Sequence, residues 1–108
     1  MTEIAVSRHG VPIRLTDERW AHILEEHAEL NGQRQEVLAT VSAAERVLAG
    51  NEAELFAIRM VAQDRALVVV YKEPGKADGF VITAFLTSQV AKLERRQQLW
   101  PQPPSQIT

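Results

Sequence analysis

The sequence predicts an α+β domain in which an N-terminal hairpin and helices pack on one face of an antiparallel meander sheet, with a short C-terminal helix. Three observations predict this class. The chain has 108 residues, the usual size of a single domain. Its apolar residues recur with a helical period in the first half and with a strand period in the second. The segments between the predicted strands are too short to contain crossover helices, so neighbouring strands run antiparallel.

The first two elements are short strands over residues 4–6 and 11–15, which form a hairpin. A helix over residues 17–30 follows, because Thr16 is a good N-cap residue and Gly32 suits a helix C-terminus. The apolar residues of this helix form one arc, opposite to its glutamates. Such an arc is typical of a helix that packs on a sheet.

A second helix starts near Gln33. The sequence from Ser42 to Glu45 matches a capping box, in which a hydroxyl and a carboxylate each accept a hydrogen bond at a helix start. We therefore expect a bend near Ser42 and a further short helix that ends at Gly50.

Three strands are predicted from runs of β-forming residues, over residues 55–62, 67–72 and 80–87. Ser88 can cap a final helix that runs to about Leu99. The single domain then spans residues 1–100, and the proline-rich residues 101–108 form a disordered tail.

Composition excludes several classes of protein. The chain has no cysteine, which excludes disulfides, thiolate metal sites and a cysteine nucleophile, and favours a reducing cytoplasm. We expect no membrane partner, because the longest apolar run, residues 66–71, is far short of the ~20 residues that cross a bilayer. The net charge of -2 argues against a basic coat protein for nucleic acid.

The charge is nevertheless uneven. Residues 1–64 contain six Lys and Arg against eleven Asp and Glu, a net charge of -5, whereas residues 65–108 contain six against three, a net charge of +3. A polyanion would therefore approach the C-terminal half, which carries Lys92, Arg95 and Arg96.

The histidines are the first candidates for chemistry, since imidazole exchanges protons near neutral pH. His27 lies in the centre of the apolar arc and is directed toward the sheet, whereas His22 lies among the glutamates. His27 is either a core histidine or a proton donor and acceptor. The two histidines are five residues apart, about 140° on a helix, and cannot hold one metal ion, so we expect no metal and no cofactor.

The strands supply a second set of candidates. Arg59 is a charge in the middle of an apolar strand, and alternation places Val81, Thr83, Phe85 and Thr87 on one face of the last strand. A guanidinium and two hydroxyls on neighbouring strands could hold a phosphate. The alternatives are a structural ion pair for Arg59 and ordinary β-forming threonines.

Three segments, residues 15–27, 67–72 and 79–87, together resemble the phage-associated domains of the barnase, EndoU, colicin and RelE (BECR) superfamily of small nucleases. The resemblance covers roughly residues 11–93. It implies RNA cleavage without a metal ion by groups from a histidine-bearing helix and an antiparallel sheet. One departure is that this chain has His27-Ala28-Glu29 where such domains read His-Pro-Glu.

By this resemblance, His27 and Thr83 occupy catalytic positions, and Arg59 takes the place of a phosphate-binding basic residue by its strand position only. Residues that would bind substrate lie in or beside the same segments: His22, Tyr71, Lys72 and Thr87. The implied reaction is transesterification by the ribose 2′-hydroxyl, which makes RNA the substrate.

Two functions remain open. The first is a metal-independent endoribonuclease, including a toxin-type enzyme that is held by an antitoxin. The second is a non-enzymatic module that uses the same scaffold to bind a protein partner or to form a homodimer. The acidic balance and the missing proline at Ala28 favour the second.

Overall fold

The computed structural model describes residues 1–102. In chain order its helices and strands are β1 Thr2–Val6, β2 Pro12–Thr16, α1 Asp17–Glu26, α2 Arg34–Ser42, β3 Arg46–Ala49, β4 Leu55–Ala62, β5 Arg65–Lys72, β6 Gly79–Thr87, α3 Val90–Leu93 and β7 Gln98–Trp100. The strands form one sheet in the order β1-β2-β6-β5-β4-β3-β7. The predicted α+β class, with its N-terminal hairpin and short C-terminal helix, is confirmed.

The sheet is an antiparallel meander joined to a second hairpin. Strands β4, β5 and β6 pair antiparallel in sequence, as predicted. Strands β1 and β2 form the N-terminal hairpin, whose turn contains Gly10 at φ 83°, a conformation that glycine adopts without strain. The two parts meet where β2 pairs parallel with β6, at Ile13↔Gly79 and Arg14↔Phe80. The whole sheet is therefore mixed.

Helix α1 lies along the rest of the β6 edge, because it begins directly after β2 and continues beside β6. The Nη1 of Arg19 donates to the Ile82 carbonyl oxygen across 3.4 Å, and Ile23 is buried in the core. The helix thus covers a strand edge that would otherwise present unpaired backbone groups.

A bulge interrupts β6. Val70 pairs with Thr83 but the next residue, Tyr71, pairs with Val81, so Ile82 is the extra residue. Because adjacent residues of β5 face opposite sides of the sheet, Val81 and Thr83 do so as well. The expectation that both share one face was wrong.

Two predicted helices end earlier than the apolar pattern suggested. Helix α1 ends at Glu26 and not near Leu30, since His27 leaves helical geometry at φ -133° and ψ 65°, and a single 3₁₀ turn follows at Ala28–Leu30. The predicted helix from Ser88 to about Leu99 is replaced by the four residues of α3 and by strand β7.

The helix predicted to end at Gly50 was also wrong. Strand β3 stands there, with Val47 and Leu48 both buried, one on each side of the sheet. A strand between two others can bury both of its faces, which explains why these residues are not in a helix. The Glu45 side chain does not cap a helix start; its Oε2 accepts a hydrogen bond from the Met60 amide at 2.9 Å. The predicted bend near Ser42 is confirmed, because α2 ends there.

The core divides between the two faces of the sheet. On the helical face, α1 and α2 cover a large buried cluster: Ile13, Leu15, Ile23, Val37, Val41, Leu67, Val69 and Tyr71. On the opposite face, which we call the open face, a smaller cluster of Leu48, Ile58, Ala66 and Val68 is covered by Val90 and Leu93. No helix within residues 1–102 has the length and apolar content that crossing a bilayer requires. The predicted tail lies outside the described residues from residue 103 onward.

Candidate functional site

The open face carries half-buried aromatic and polar side chains around the cluster that α3 covers, and Phe56 and Phe85 pack against that cluster. Its members come from three neighbouring strands: Phe56 on β4, Lys72 on β5, and Phe80, Thr83 and Phe85 on β6. Each is partly accessible to solvent. Aromatic rings on an uncovered sheet are able to stack on planar ligands.

His27 lies at the margin of this face, because α1 ends beside β6. Its ring centroid is 6.1 Å from that of Phe85, with an angle of 35° between the rings. The prediction that His27 is directed toward the sheet is confirmed by this contact. The side chain is 27% exposed, and its Nδ1 is 3.6 Å from Oε2 of Glu29. A solvent-accessible imidazole beside a carboxylate can exchange protons with a ligand on the face.

Thr83 and Lys72 belong to the same part of the open face. Thr83 is two residues from Phe85 along β6, about 7 Å at the rise of an extended strand. Thr83 also pairs with Val70, and Lys72 is two positions along β5 from Val70, which keeps Lys72 on that face. The structure therefore places the predicted site residues Thr83 and Lys72 on the open face and His27 at its margin beside Phe85.

Arg59 is not part of that region. It pairs with Leu67, whereas Thr83 pairs with Val70, and an odd separation along β5 places Arg59 on the helical face. There its Nη2 lies 2.6 Å from Oε2 of Glu36 and its Nε donates to Oγ1 of Thr40 at 3.1 Å. These contacts with α2 match the alternative of a structural ion pair.

Tyr71 is also distant from any surface ligand. Its side chain is fully buried on the helical face, and its hydroxyl has no hydrogen-bond partner among the described residues. Burial, with a smaller contribution from the charge of Glu73, raises the pKa of the Tyr71 hydroxyl far above its ordinary value, so the group stays protonated. A substrate that remains outside the core does not reach it.

His22 lies outside this region, whereas Thr87 pairs with Ala66 and therefore lies on the open face, two residues beyond Phe85. His22 is 54% exposed, within 3.5 Å of Glu26, and lines a groove of about 620 Å³ on the outer side of α1. Thr87 ends β6, and its Oγ1 accepts a hydrogen bond from the Gln89 amide at 3.0 Å, which fixes the turn into α3. Among residues 1–102, neither forms a hydrogen bond or an ion pair with His27.

Sequence reasoning missed the aromatic members Phe56 and Phe80, and the contact of Arg96 with Phe56. The guanidinium of Arg96 lies 4.7 Å above the Phe56 ring. Strand alternation places Phe56 on the same face as Ile58. The sequence alone does not indicate which face of the sheet the helices leave uncovered. That assignment follows only from the strand order.

No ligand set for a metal stands out, since the described residues contain no group of three or more His, Asp or Glu side chains that could hold an ion. The basis for assigning a function is therefore the set of side chains on the open face and at its margin. No family model, curated protein or solved structure matches the chain.

Proposed function

We propose that the protein cleaves RNA without a metal ion, with the substrate bound across the open face and His27 transferring the proton. One observation carries the proposal: an accessible imidazole stands beside a sheet face that presents Thr83, Lys72 and three phenyl rings. An RNA substrate also agrees with the cytoplasmic location that the cysteine-free sequence predicts.

The face suits a single-stranded RNA. Unpaired bases stack on aromatic side chains of sheet surfaces, and each stacked base contributes about 1–3 kcal/mol to binding. Phe85 and Phe80 are both on β6, so two bases would have rings to contact, and the Arg96 guanidinium over Phe56 lies two strands away. Lys72 would supply a positive charge for the backbone between them.

The reaction would be an internal phosphoryl transfer. The neutral imidazole of His27 takes the proton of the ribose 2′-hydroxyl, and the 2′-oxygen forms a bond to phosphorus. The bond between phosphorus and the 5′-oxygen breaks, that oxygen takes a proton from water, and the His27 imidazolium returns its proton to the hydroxide that remains. The products are a 2′,3′-cyclic phosphate and a 5′-hydroxyl. Lys72 and the Thr83 hydroxyl would stabilise the negative charge on the non-bridging oxygens, the role that the resemblance gave to Arg59.

The test compares two histidine variants in the presence of EDTA. We expect His27→Ala to lower the rate of RNA cleavage by about 10² to 10⁴-fold, the usual contribution of a general base. His22→Ala is the matched control, because it removes an exposed imidazole from the same helix. RNA with a 2′-deoxyribose at the cleaved position should remain intact. Intact RNA at high protein concentration, or equal rates for the two variants, would refute the proposal.

A specific observation also favours the second function, binding of a protein partner such as an antitoxin or a second copy. Strand β1 forms one edge of the sheet, and its Ile4 and Val6 are 59% and 53% exposed. Exposed apolar residues on a free strand edge favour pairing with a strand of another chain.

The measurement for this second function is the mass of the particle in solution. If β1 mediates a homodimer, light scattering will detect twice the mass of the chain, and Ile4→Lys will restore the monomer. A monomer at the highest attainable concentration excludes the homodimer. Inhibition of RNA cleavage by a protein that binds β1 would unite the two functions.

A further inference from the structure

We infer that a second site, a basic groove beside α3, binds backbone phosphates of the RNA strand where it leaves the open face. The groove encloses about 450 Å³ between residues 49–51, at the end of β3 and just after it, and a wall formed by Lys92, Arg95, Arg96 and Gln97. The inference rests on the proposed function for the identity of the ligand, but it concerns a surface that the cleavage chemistry does not use.

The charge of the groove selects an anion. Three of its lining side chains are cationic and none is acidic. Glu94 lies between Lys92 and Arg95 in sequence, but its carboxylate is held by Arg46 at 3.1 Å. The nearby Glu54 carboxylate accepts a hydrogen bond from the Glu52 amide at 2.9 Å. Only Glu94 is neutralised by an ion pair, but no acid among residues 1–102 forms an ion pair with the three cations of the wall, so the groove keeps a local excess of positive charge.

Arg96 is already oriented for a ligand. Its Nη1 donates to Oδ1 of Asn51 at 2.9 Å and to the Ala49 carbonyl oxygen at 3.4 Å. Within residues 1–102 its Nε and Nη2 have no protein acceptor. A guanidinium that is fixed on one side and has donors left on the other is suited to a phosphate oxygen, because little side-chain freedom remains to be lost on binding.

Lys92 and Arg95 extend the positive charge along the same wall. In the part of the chain that the structure describes, neither forms an ion pair. Two long exposed cations without a partner contribute little to the stability of the fold. They can instead neutralise phosphates, each of which releases condensed counterions when it is bound.

The groove is continuous with the open face through Phe56. The Phe56 ring belongs to the open face, and Arg96, which lies above it, belongs to the groove. From β6 to β4 the sheet spans two strand spacings, about 10 Å. An extended RNA strand that stacks near Phe85 and crosses toward Phe56 and Arg96 would therefore place its next phosphates among the three cations. The groove presents no aromatic ring to seat a further base, so its ligand is the backbone.

The test measures binding of a short single-stranded RNA with 2′-O-methyl groups, which lacks the attacking hydroxyl and is not cleaved. Fluorescence anisotropy gives the Kd at a series of salt concentrations. For Lys92→Ala/Arg95→Ala, we expect weaker binding at low salt and a smaller slope of log K against log[salt]. The slope should fall by about 0.7 for each phosphate contact that is lost, or about 1.4 in total.

The matched control is Arg65→Ala/Lys76→Ala, which removes the same charge from exposed positions outside the groove. Equal changes for the two double variants would overturn the inference, because net charge alone would then explain the effect.

The outcomes separate the two proposals. A protein that binds RNA through the groove but cleaves none retains the inference and loses the proposed cleavage. A protein that cleaves RNA while both double variants bind with the wild-type slope retains the cleavage and loses the groove.

Discussion

Arg59 joins β4 to α2 through both ends of its guanidinium. Nη2 lies 2.6 Å from the Glu36 carboxylate, and Nε reaches the Thr40 hydroxyl, whose residue is fully buried. Only 23% of the Arg59 side chain is exposed. We therefore expect its main contribution to be to the stability of the fold.

Arg59→Ala should lower the free energy of unfolding by about 1–2 kcal/mol, since charged hydrogen bonds are lost while the Glu36 side chain remains partly solvated. Urea unfolding monitored by circular dichroism measures this value. Arg59→Lys keeps the positive charge but not the two-sided guanidinium, so it should lower the free energy of unfolding by less than Arg59→Ala does. If Arg59→Ala abolished cleavage while stability stayed unchanged, the catalytic role implied by the resemblance would be correct.

The Thr83 hydroxyl is the neutral donor that the proposed reaction requires on β6. Thr83→Val keeps the shape and the β-branched side chain, so the strand should persist. We expect the cleavage rate to fall about ten-fold or more, because a donor to the developing negative charge is removed. Steady-state kinetics should show the loss mainly in kcat. A change confined to KM would assign Thr83 to substrate binding only.

The junction of β2 with β6 depends on Gly79. A Cβ at this position would stand 2.5 Å from the Lys72 carbonyl oxygen and 2.5 Å from Cδ1 of Ile13. Gly79→Ala must therefore move the neighbouring strands apart. It should lower the free energy of unfolding by about 1–3 kcal/mol, as overpacking of a site does. Gly75→Ala is the control, since no atom beyond its neighbours in the chain lies within 4 Å of the place that a Cβ would occupy there. Equal stability of the two variants, measured by thermal unfolding, would show that the junction adapts freely.

We expect the same junction to be sensitive to acid. Arg14 donates two hydrogen bonds to Asp78, at 2.8 and 3.0 Å, and these hold the pKa of the Asp78 carboxyl below its ordinary value of 3.8. A carboxyl whose pKa is lowered by folding stabilises the protein above its unfolded pKa, and this contribution is lost as the pH falls through the folded pKa. The Tm of wild type should exceed that of Asp78→Asn at neutral pH, and the difference should shrink below pH 3.8. A difference in Tm that does not change with pH would mean that the charge of Asp78 does not stabilise the protein.

Local patterns were sufficient for some elements and insufficient for others. The Thr16 cap and the meander from β4 to β6 involve neighbours in sequence, and both were predicted. Strand β3 was not, because Val47 is a strand residue only through its partners Ala57 and Trp100, far along the chain. The bulge at Ile82, which separates Val81 from Thr83, likewise depends on register and leaves no signal in alternation.

Over its full width, the seven-stranded sheet curls around α2. Strands β1 and β7 are at opposite ends of the strand order, yet Arg8, which follows β1, lies 4.2 Å above the ring of Trp100 in β7. Its Nε also donates to the Ala44 carbonyl oxygen at 2.9 Å. This curvature explains why the candidate site could be predicted only in part. His27 and Thr83 lie at one margin of the sheet, whereas Arg59 lies on the face that curves around α2.

The contact of Arg8 with Trp100 is therefore expected to couple the two edges of the sheet. A double-mutant cycle with Arg8→Ala and Trp100→Ala isolates the pair from the packing that each side chain makes elsewhere. The coupling energy should be about 0.5–1 kcal/mol, the usual size for a cation over an aromatic ring at a partly exposed site. Urea unfolding of the four proteins gives the value. If the effects of the two substitutions simply add, the two edges lie close together without a stabilising contact between them. In that case α2 alone maintains the curvature of the sheet.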